Sequence, residues 1–294
     1  MRKTSVYLPE DLKEELAALA RRWQRSEAEL LRLALERLVR AARDDAGPAD
    51  RAPVRQPGPR LVGVGVGPSD PGLVTERALT TLRSADRVYA AATGPDAIAR
   101  AEAIVRAAAP EVEVERLVFD IGDDAPARVA SLSSAADMLV DTLDTGAVVA
   151  FVTLGDPNVY STFPAVARLV AQRRPSVPVA TIPGVMAFQE LAAEAGTVLA
   201  EAGEHLTLVM ADADSAELDA MLADPGRTIV LYKGGRHLPA VADALRAHDR
   251  LDGAVVGEML GLPGGRWAAV ASVAGRPASY LATVVVPAAR KAAP

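Results

Sequence analysis

From Leu61 onward, short apolar runs closed by Gly, Pro or Asp alternate with stretches whose apolar residues recur at helical spacing. The runs predict strands at 61–66, 87–91, 112–118, 147–153, 177–182, 205–210, 228–233, 254–258, 267–273 and 281–286. Helical spacing predicts helices between the earlier strands, among them 72–83, 126–143, 160–173 and 238–247. Strands that read as continuous apolar runs between helices are buried on both faces, which places this part of the chain in the α/β class with largely parallel sheets. The last strands follow one another without long helices, so an antiparallel part is expected in the second half. No internal repeat is evident.

The first 45 residues have a different rhythm. Lys3, Ser5 and Tyr7 alternate with Thr4, Val6 and Leu8, the period of a strand. Pro9 suits a first helical position, and Glu10 and Asp11 sit at the positive end of that helix dipole. Leu12, Leu16, Leu19 and Trp23 then form an apolar stripe at helical spacing. Ser26 and Glu29 have the spacing of a capping box opening a second helix, which carries Leu30, Leu31, Ala34, Leu35 and Leu38. Residues 46–59 hold four prolines and two glycines and read as a linker. The expected division is therefore 1–45, linker 46–59, a first α/β domain over 60–176 and a second over 177–287.

Charge supports that boundary. Residues 1–45 carry ten Lys and Arg against nine Asp and Glu, while the whole chain of 294 residues has a net charge of −6. The dense charge belongs to the front segment, and any nucleic-acid contact must be local to it. The chain has no cysteine and three histidines, so disulfides, thiolate metal sites and a cysteine nucleophile are excluded, and no metal site is expected. No apolar run of 18 or more residues is present and residues 1–19 lack a secretory apolar centre, which predicts a cytoplasmic protein without a membrane span.

Three strand ends carry the candidate chemistry. LVGVGVGPSDPG (61–72) places glycines after a buried strand, where backbone can approach a ligand. The dinucleotide fingerprint fails, because its third glycine falls on Pro68 or Asp70 according to where the count starts, and no G-K-[ST] follows. AVVAFVTLGDP (147–157) leaves Asp156 at the carboxyl end of a strand, suited to a ligand bearing positive charge or hydroxyls. The third is the Pro183-Gly184 turn. Each is equally readable as an ordinary turn between strand and helix, with Asp156 as a turn cap.

Taken together and in order, GVGVGPSDPGLVT (63–75), GDP (155–157) and PGV (183–185) resemble the tetrapyrrole (corrin/porphyrin) methylase family. VTLGDPNVYSTF (152–163), TIPGVMAFQELAAEAG (181–196), YKGGRHLPAVADAL (232–245) and SYLATVVVP (279–287) resemble its branch acting on C20 of precorrin-2. The resemblance implies two α/β domains with S-adenosylmethionine in the cleft between them, preceded by the small front module. It implies a cofactor site of Pro68, Leu154, Gly155, Asp156, Val159, Met186, Ala187 and Lys233. It implies direct methyl transfer to a tetrapyrrole, precorrin-2 or cobalt-precorrin-2, in cobalamin biosynthesis. Tyr160, Ser161, Glu190 and His205 are candidates for a base, none assigned, and Arg236 and His237 could meet substrate carboxylates or simply form a surface turn. The alternatives are methylation at another ring position, diphthamide-type methylation of a protein, or a DNA-bound regulator that senses S-adenosylmethionine or a corrinoid.

The chain departs from the family pattern at Ser69, where the family has glycine and where a side chain is expected to strain or reshape the turn, and at 257–267, where only Glu258 matches. Residues 1–45 resemble ribbon-helix-helix modules, which pair one strand from each of two chains. That resemblance implies a homodimer, with Lys3, Ser5 and Tyr7 facing a DNA groove and Thr4, Val6 and Leu8 facing the dimer core, or a module serving dimerisation alone.

Overall fold

The computed structural model describes residues 10–23, 26–32, 58–94, 98–120, 122, 124–211, 215–261, 264–279 and 281–290. The chain divides into two compact units, Met1–Gln56 and Pro57–Pro294. In the first, helix α1 spans Glu10–Trp23. A second helical stretch covers 27–32, and the Ser26 hydroxyl accepts the Glu29 N–H at 3.2 Å, the cap anticipated from sequence. The expected strand 3–8, with Lys3, Ser5 and Tyr7, lies outside the described residues.

The second unit holds two five-stranded sheets. The first contains β1 (Arg60–Gly65), β2 (Arg87–Ala92), β3 (Glu115–Val118), β4 (Val148–Thr153) and β5 (Val179–Ile182), in the order β3-β2-β4-β1-β5. All its pairings are parallel, so helices must cover both faces. Strand alternation does the sorting. Leu61, Leu117 and Phe151 point to helices α4 (Ala125–Asp144) and α5 (Phe163–Arg173). Val62, Val64, Ala90 and Val152 point to α2 (Glu76–Ser84) and α3 (Arg100–Ala108).

The second sheet contains β6 (His205–Met210), β7 (Arg227–Tyr232), β8 (Val255–Glu258), β9 (Arg266–Ala269) and β10 (Thr283–Val286), in the order β6-β7-β10-β8-β9. Only β6 and β7 are parallel; the remaining pairings are the expected antiparallel part. One face packs α7 (Ser215–Leu222) and α8 (Leu238–Ala247) through Ile229, Leu231 and Val284. The other face, through Val230, Val255 and Val285, packs α6 (Ala187–Ala195) with its Phe188 and Leu191. Arg250 is buried and donates to the carbonyls of Leu222, Asp224, Arg227 and Pro287, closing the edge of this half.

Four expectations need correction. Strand β5 pairs with β1, so 177–182 belongs to the first sheet, and the change of sheet falls between Ile182 and Ala187 rather than at 176/177. The helix expected at 72–83 is a 3-10 turn at Pro71–Leu73 followed by α2, because the Thr75 hydroxyl takes the Ala78 N–H at 3.2 Å and starts the helix there. The helix expected from 160 begins at Phe163, because Tyr160 has φ +47° and the Ser161 hydroxyl accepts the Phe163 N–H. The strand expected at 267–273 ends at Ala269 and becomes a helical turn, α9 (Val270–Val273), which turns Val270 and Ala274 into the core.

Candidate active site

The carboxyl ends of β1, β4 and β5 converge. Val66 donates to the Thr153 carbonyl, and Gly155 donates to the Gly67 carbonyl at 2.9 Å, so the first two turns run side by side. Gly65 and Gly184 are required by contact: a Cβ on either would fall on the Gly155 carbonyl oxygen, and one on Gly65 would also stand 2.7 Å from the Gly184 nitrogen. Three backbones therefore meet with no side chain between them, a close approach that only glycine allows.

Asp156 ties these turns together. One carboxylate oxygen accepts the Asn158 N–H at 2.8 Å and the other accepts the Gly184 N–H at 3.3 Å. Asn158 adds a side-chain bond to Thr181 at 3.2 Å. Asp156 thus caps its own loop and holds the β5 turn beside it. Pro68 is buried in the first turn. Ser69 is buried as well, and its hydroxyl bonds to the Pro68 carbonyl. Its φ is not positive, so the expected strain is absent; the left-handed residue of this loop is Gly67, at φ +81°.

Met186 and Ala187 open α6 directly after the Gly184 turn, with the Gln189 side chain accepting the Met186 N–H at 2.8 Å. A Cβ on Gly155 would lie 3.8 Å from the Met186 Cα, so the second and third turns are neighbours. Val159 donates back to the Asp156 carbonyl, and Leu154 packs on the α2/α3 side of the sheet.

Lys233 follows Tyr232 at the end of β7 with φ +58°. Tyr232 links it to the rest. Its ring lies 5.5 Å from that of Tyr160 and 6.4 Å from that of Phe188. The Tyr160 hydroxyl donates to the Leu208 carbonyl on β6 at 2.9 Å, so the loop after β4 reaches the second sheet. The turns after β1, β4 and β5 and the end of β7 thus approach one another where the two sheets meet.

Three buried side-chain atoms among the described residues have no hydrogen-bond partner: Thr153 Oγ1, Glu190 Oε2 and the Tyr232 hydroxyl. Thr153 precedes Leu154 and Gly155, Tyr232 precedes Lys233, and Glu190 lies one turn beyond Met186 and Ala187. Burial, reinforced by Glu194 and Asp70, pushes the Glu190 carboxyl up to about 7. Burial also raises the Tyr232 phenol, with Tyr160 adding to it. Orphaned polar groups are expensive unless a ligand completes them, so a cradle of bare backbone bordered by such groups fits a nucleoside bearing a polar amino-acid arm. Thr153 and Tyr232 fall within the stretches 152–163 and 232–245, but nothing there marks either for a role, since each reads as one more residue of an apolar strand.

The candidate bases separate. Ser161 spends its hydroxyl on the Pro157 carbonyl and the Phe163 N–H. His205 starts β6, at the opposite end of that strand from Met210, which pairs with Tyr232. Tyr160 lies against Tyr232, and Glu190 lies near Asp70 of the first turn. Arg236 and His237 are exposed on the 3-10 turn Gly234–His237 after Lys233. In the divergent stretch, Glu258 accepts the Ser279 N–H at 2.7 Å and pairs with Arg266, while Gly261 rests on Asp70, where a Cβ would stand 2.6 Å from the Asp70 nitrogen. Among the described residues no cluster of His, Asp and Glu could hold a metal ion, and no helix is long and apolar enough to cross a membrane.

Parallel strand ends converging on a glycine-only junction beside a mixed second sheet define an α/β protein built on two sheets. Residues 60–272 match the Tetrapyrrole (Corrin/Porphyrin) Methylases, and the chain belongs to that family, whose members transfer methyl from S-adenosylmethionine. Residues 2–42 match the ribbon-helix-helix proteins of the copG family. The chain is 32% identical to the precorrin-2 C(20)-methyltransferase of a Sinorhizobium species over 78% of this chain and 95% of that protein. It is 28% identical to the cobalt-precorrin-2 C(20)-methyltransferase of Salmonella typhimurium over 77% and 95%, respectively. In fold it is similar to a cobalamin synthesis related protein of Corynebacterium diphtheriae, with TM-score 0.59 and 21% identity over 79% of this chain and 99% of that one.

Proposed function

We propose that this chain is an S-adenosylmethionine-dependent C-methyltransferase of cobalamin biosynthesis that methylates precorrin-2 or cobalt-precorrin-2 at C20 in the cytoplasm. The similarity to precorrin-2 C(20)-methyltransferase along nearly that protein's whole length carries the substrate assignment. The cradle of Gly65, Gly155 and Gly184 supports the donor site, with Pro68, Leu154, Asp156, Val159, Met186, Ala187 and Lys233 around it.

S-adenosylmethionine, when bound, supplies a methyl group already activated by its sulfonium. The chain's own work is then alignment and exclusion of water. Asp156 fixes the relative position of two turns, and Tyr160 fixes the loop after β4 against β6. The exposure of Arg236 and His237 on the turn after Lys233 supports a role for them in meeting the carboxylates of a tetrapyrrole. The test is turnover. Incubation with the methyl donor and either precorrin-2 or cobalt-precorrin-2 should yield product heavier by one methylene and an equivalent of S-adenosylhomocysteine. Tight binding of the donor without product from either substrate would favour a sensing regulator instead.

A second reading concerns the front module and rests on the match of residues 2–42 to copG-type proteins. It makes the chain a homodimer through a two-stranded ribbon and gives Lys3, Ser5 and Tyr7 a DNA-facing role. A gel-shift titration against genomic fragments tests it, and the absence of any preferred fragment would leave only dimerisation.

A further inference from the structure

The donor proposed for this site brings two positive charges, a sulfonium and an α-ammonium, and the site must answer them. Asp156 is the obvious carboxylate, yet both of its oxygens already accept backbone N–H groups, from Asn158 and Gly184. It acts as a strut between turns.

Glu190 is placed differently. It is 7% exposed, its Oε2 is buried without a partner, and it lies on the stripe of α6 that begins with Met186 and Ala187. The charged groups it feels are both acidic, Glu194 one turn along α6 and Asp70 two residues beyond Pro68 in the first turn. The other charged pair on strands packed against α6, Glu258 of β8 and Arg266 of β9, is mutually engaged at 3.2 Å. A buried carboxylate whose charged neighbours are acidic is unfavourable on its own and becomes favourable when a cation enters beside it. The residue also stands between two turns assigned to the donor, the one at Pro68 and the one at Met186.

We propose that Glu190 is the anionic partner of the donor's α-ammonium, a binding role that rests on the methyltransferase reading above and that the family's turn motifs do not assign. The buried carboxyl, which readily holds a proton without a cation beside it, ionises as the ammonium seats against it, and proton release accompanies binding.

The test uses the full chain and three nucleosides titrated calorimetrically: S-adenosylmethionine with both charges, S-adenosylhomocysteine with the ammonium only, and 5′-methylthioadenosine with neither. Glu190→Gln should weaken the first two by about tenfold or more, the loss of a charge-assisted hydrogen bond, and leave 5′-methylthioadenosine unchanged. Wild-type affinity for S-adenosylhomocysteine should fall as pH drops from 8 to 6, because protons then compete for the carboxylate, and the Gln variant should lack that dependence. Equal weakening of all three ligands shows a merely structural role and overturns the proposal, as does weakening of S-adenosylmethionine alone, which would assign Glu190 to the sulfonium. Unaltered affinities overturn it as well. A wild-type chain that binds none of the three refutes the methyltransferase reading itself, an outcome distinct from every failure of Glu190.

Discussion

The hydroxyl of Tyr160 donates to the main-chain carbonyl of Leu208 at 2.9 Å, joining the loop after β4 of the first sheet to β6 of the second. Tyr160 accepts a left-handed backbone to do so, at φ +47°, although it is 47% exposed. A non-glycine residue held there implies that the surrounding contacts outweigh the conformational penalty. Tyr160→Phe keeps the ring against Tyr232 and removes the bond, so stability should fall by about 0.5–1 kcal/mol. The KM for the macrocycle should change more than that for the methyl donor, because the lost tie holds the loop after β4 against the second sheet. Urea unfolding and steady-state kinetics check both, and unchanged kinetics with unchanged stability would mean the bond holds nothing in solution.

Gly184→Ala should damage the donor site far more than Gly63→Ala. A Cβ at Gly184 meets main chain on both sides, the Gly155 carbonyl and the Gly65 carbonyl carbon, neither of which can turn away. A Cβ at Gly63 meets only the Phe163 ring at 2.6 Å, and a side chain can shift. Overpacking of this kind costs about 1–3 kcal/mol, and at Gly184 it should also abolish nucleoside binding. Equal binding by both variants would show that the convergence of the three turns does not shape the site.

Much of this fold could be read from residue pattern, because its strands are long apolar runs with glycine, proline or aspartate at their ends. The three turns were legible for the same reason: Gly65, Gly155-Asp156 and Gly184 each stand where a strand stops. What pattern could not supply was tertiary choice. Nothing in the run 177–182 tells that it pairs with β1 rather than joining the second sheet. Tyr232 reads as the last residue of an apolar strand, and only the approach of Tyr160 and Phe188 shows that it links the loop after β4 to α6. Glu190 looks like a polar helix position, and its burial comes from the first turn and second sheet closing around α6. Ser69 misled in the opposite direction, since the demand for a left-handed residue falls on Gly67.

Asp156→Ala should weaken every nucleoside ligand alike, in contrast to Glu190→Gln. Its two bonds, to the N–H groups of Asn158 and Gly184, position turns rather than a charged group of the ligand. Losing them should cost about 1.5–3 kcal/mol of binding, the scale of hydrogen bonds to a carboxylate, and the fold should persist. A loss confined to ligands that carry the ammonium would transfer the direct role from Glu190 to Asp156.

The buried Glu190 carboxyl predicts an unusual pH dependence of stability without ligand. Its folded-state value, about 7, lies above the ordinary 4.5, so the native state binds the proton more tightly than the unfolded chain. The resulting stabilisation is complete below about pH 4.5 and is lost as pH rises through 7, a change of roughly 3 kcal/mol. The paired carboxylates of Glu102 and Asp144 are shifted down, and their contribution fades only in acid, outside this window. The difference between wild type and Glu190→Gln in urea unfolding should therefore grow in favour of the variant from pH 5 to pH 8. Saturating S-adenosylhomocysteine should erase much of it. A constant difference across that range would show that Glu190 is ionised throughout.

The front unit and the methylase unit should be separable in function. Residues 1–56 form their own compact unit, and the sequence of 46–59 reads as a proline-rich linker. Deleting residues 1–56 should leave methyl transfer within about twofold of the full chain, because every residue assigned to the donor lies beyond Pro57. If the copG-like segment binds DNA as a strand-paired dimer, binding should weaken steeply with added salt, since phosphate contacts dominate its affinity. Replacing Lys3 and Tyr7 together should then erase sequence preference while the mass of the full chain by sedimentation stays that of the wild type. A fall in mass on that double replacement would place both residues in the dimer core and contradict the alternation of Lys3, Ser5 and Tyr7 with Thr4, Val6 and Leu8. Loss of methyl transfer on deletion would show that the front unit completes the active site, overturning the independence of the two parts.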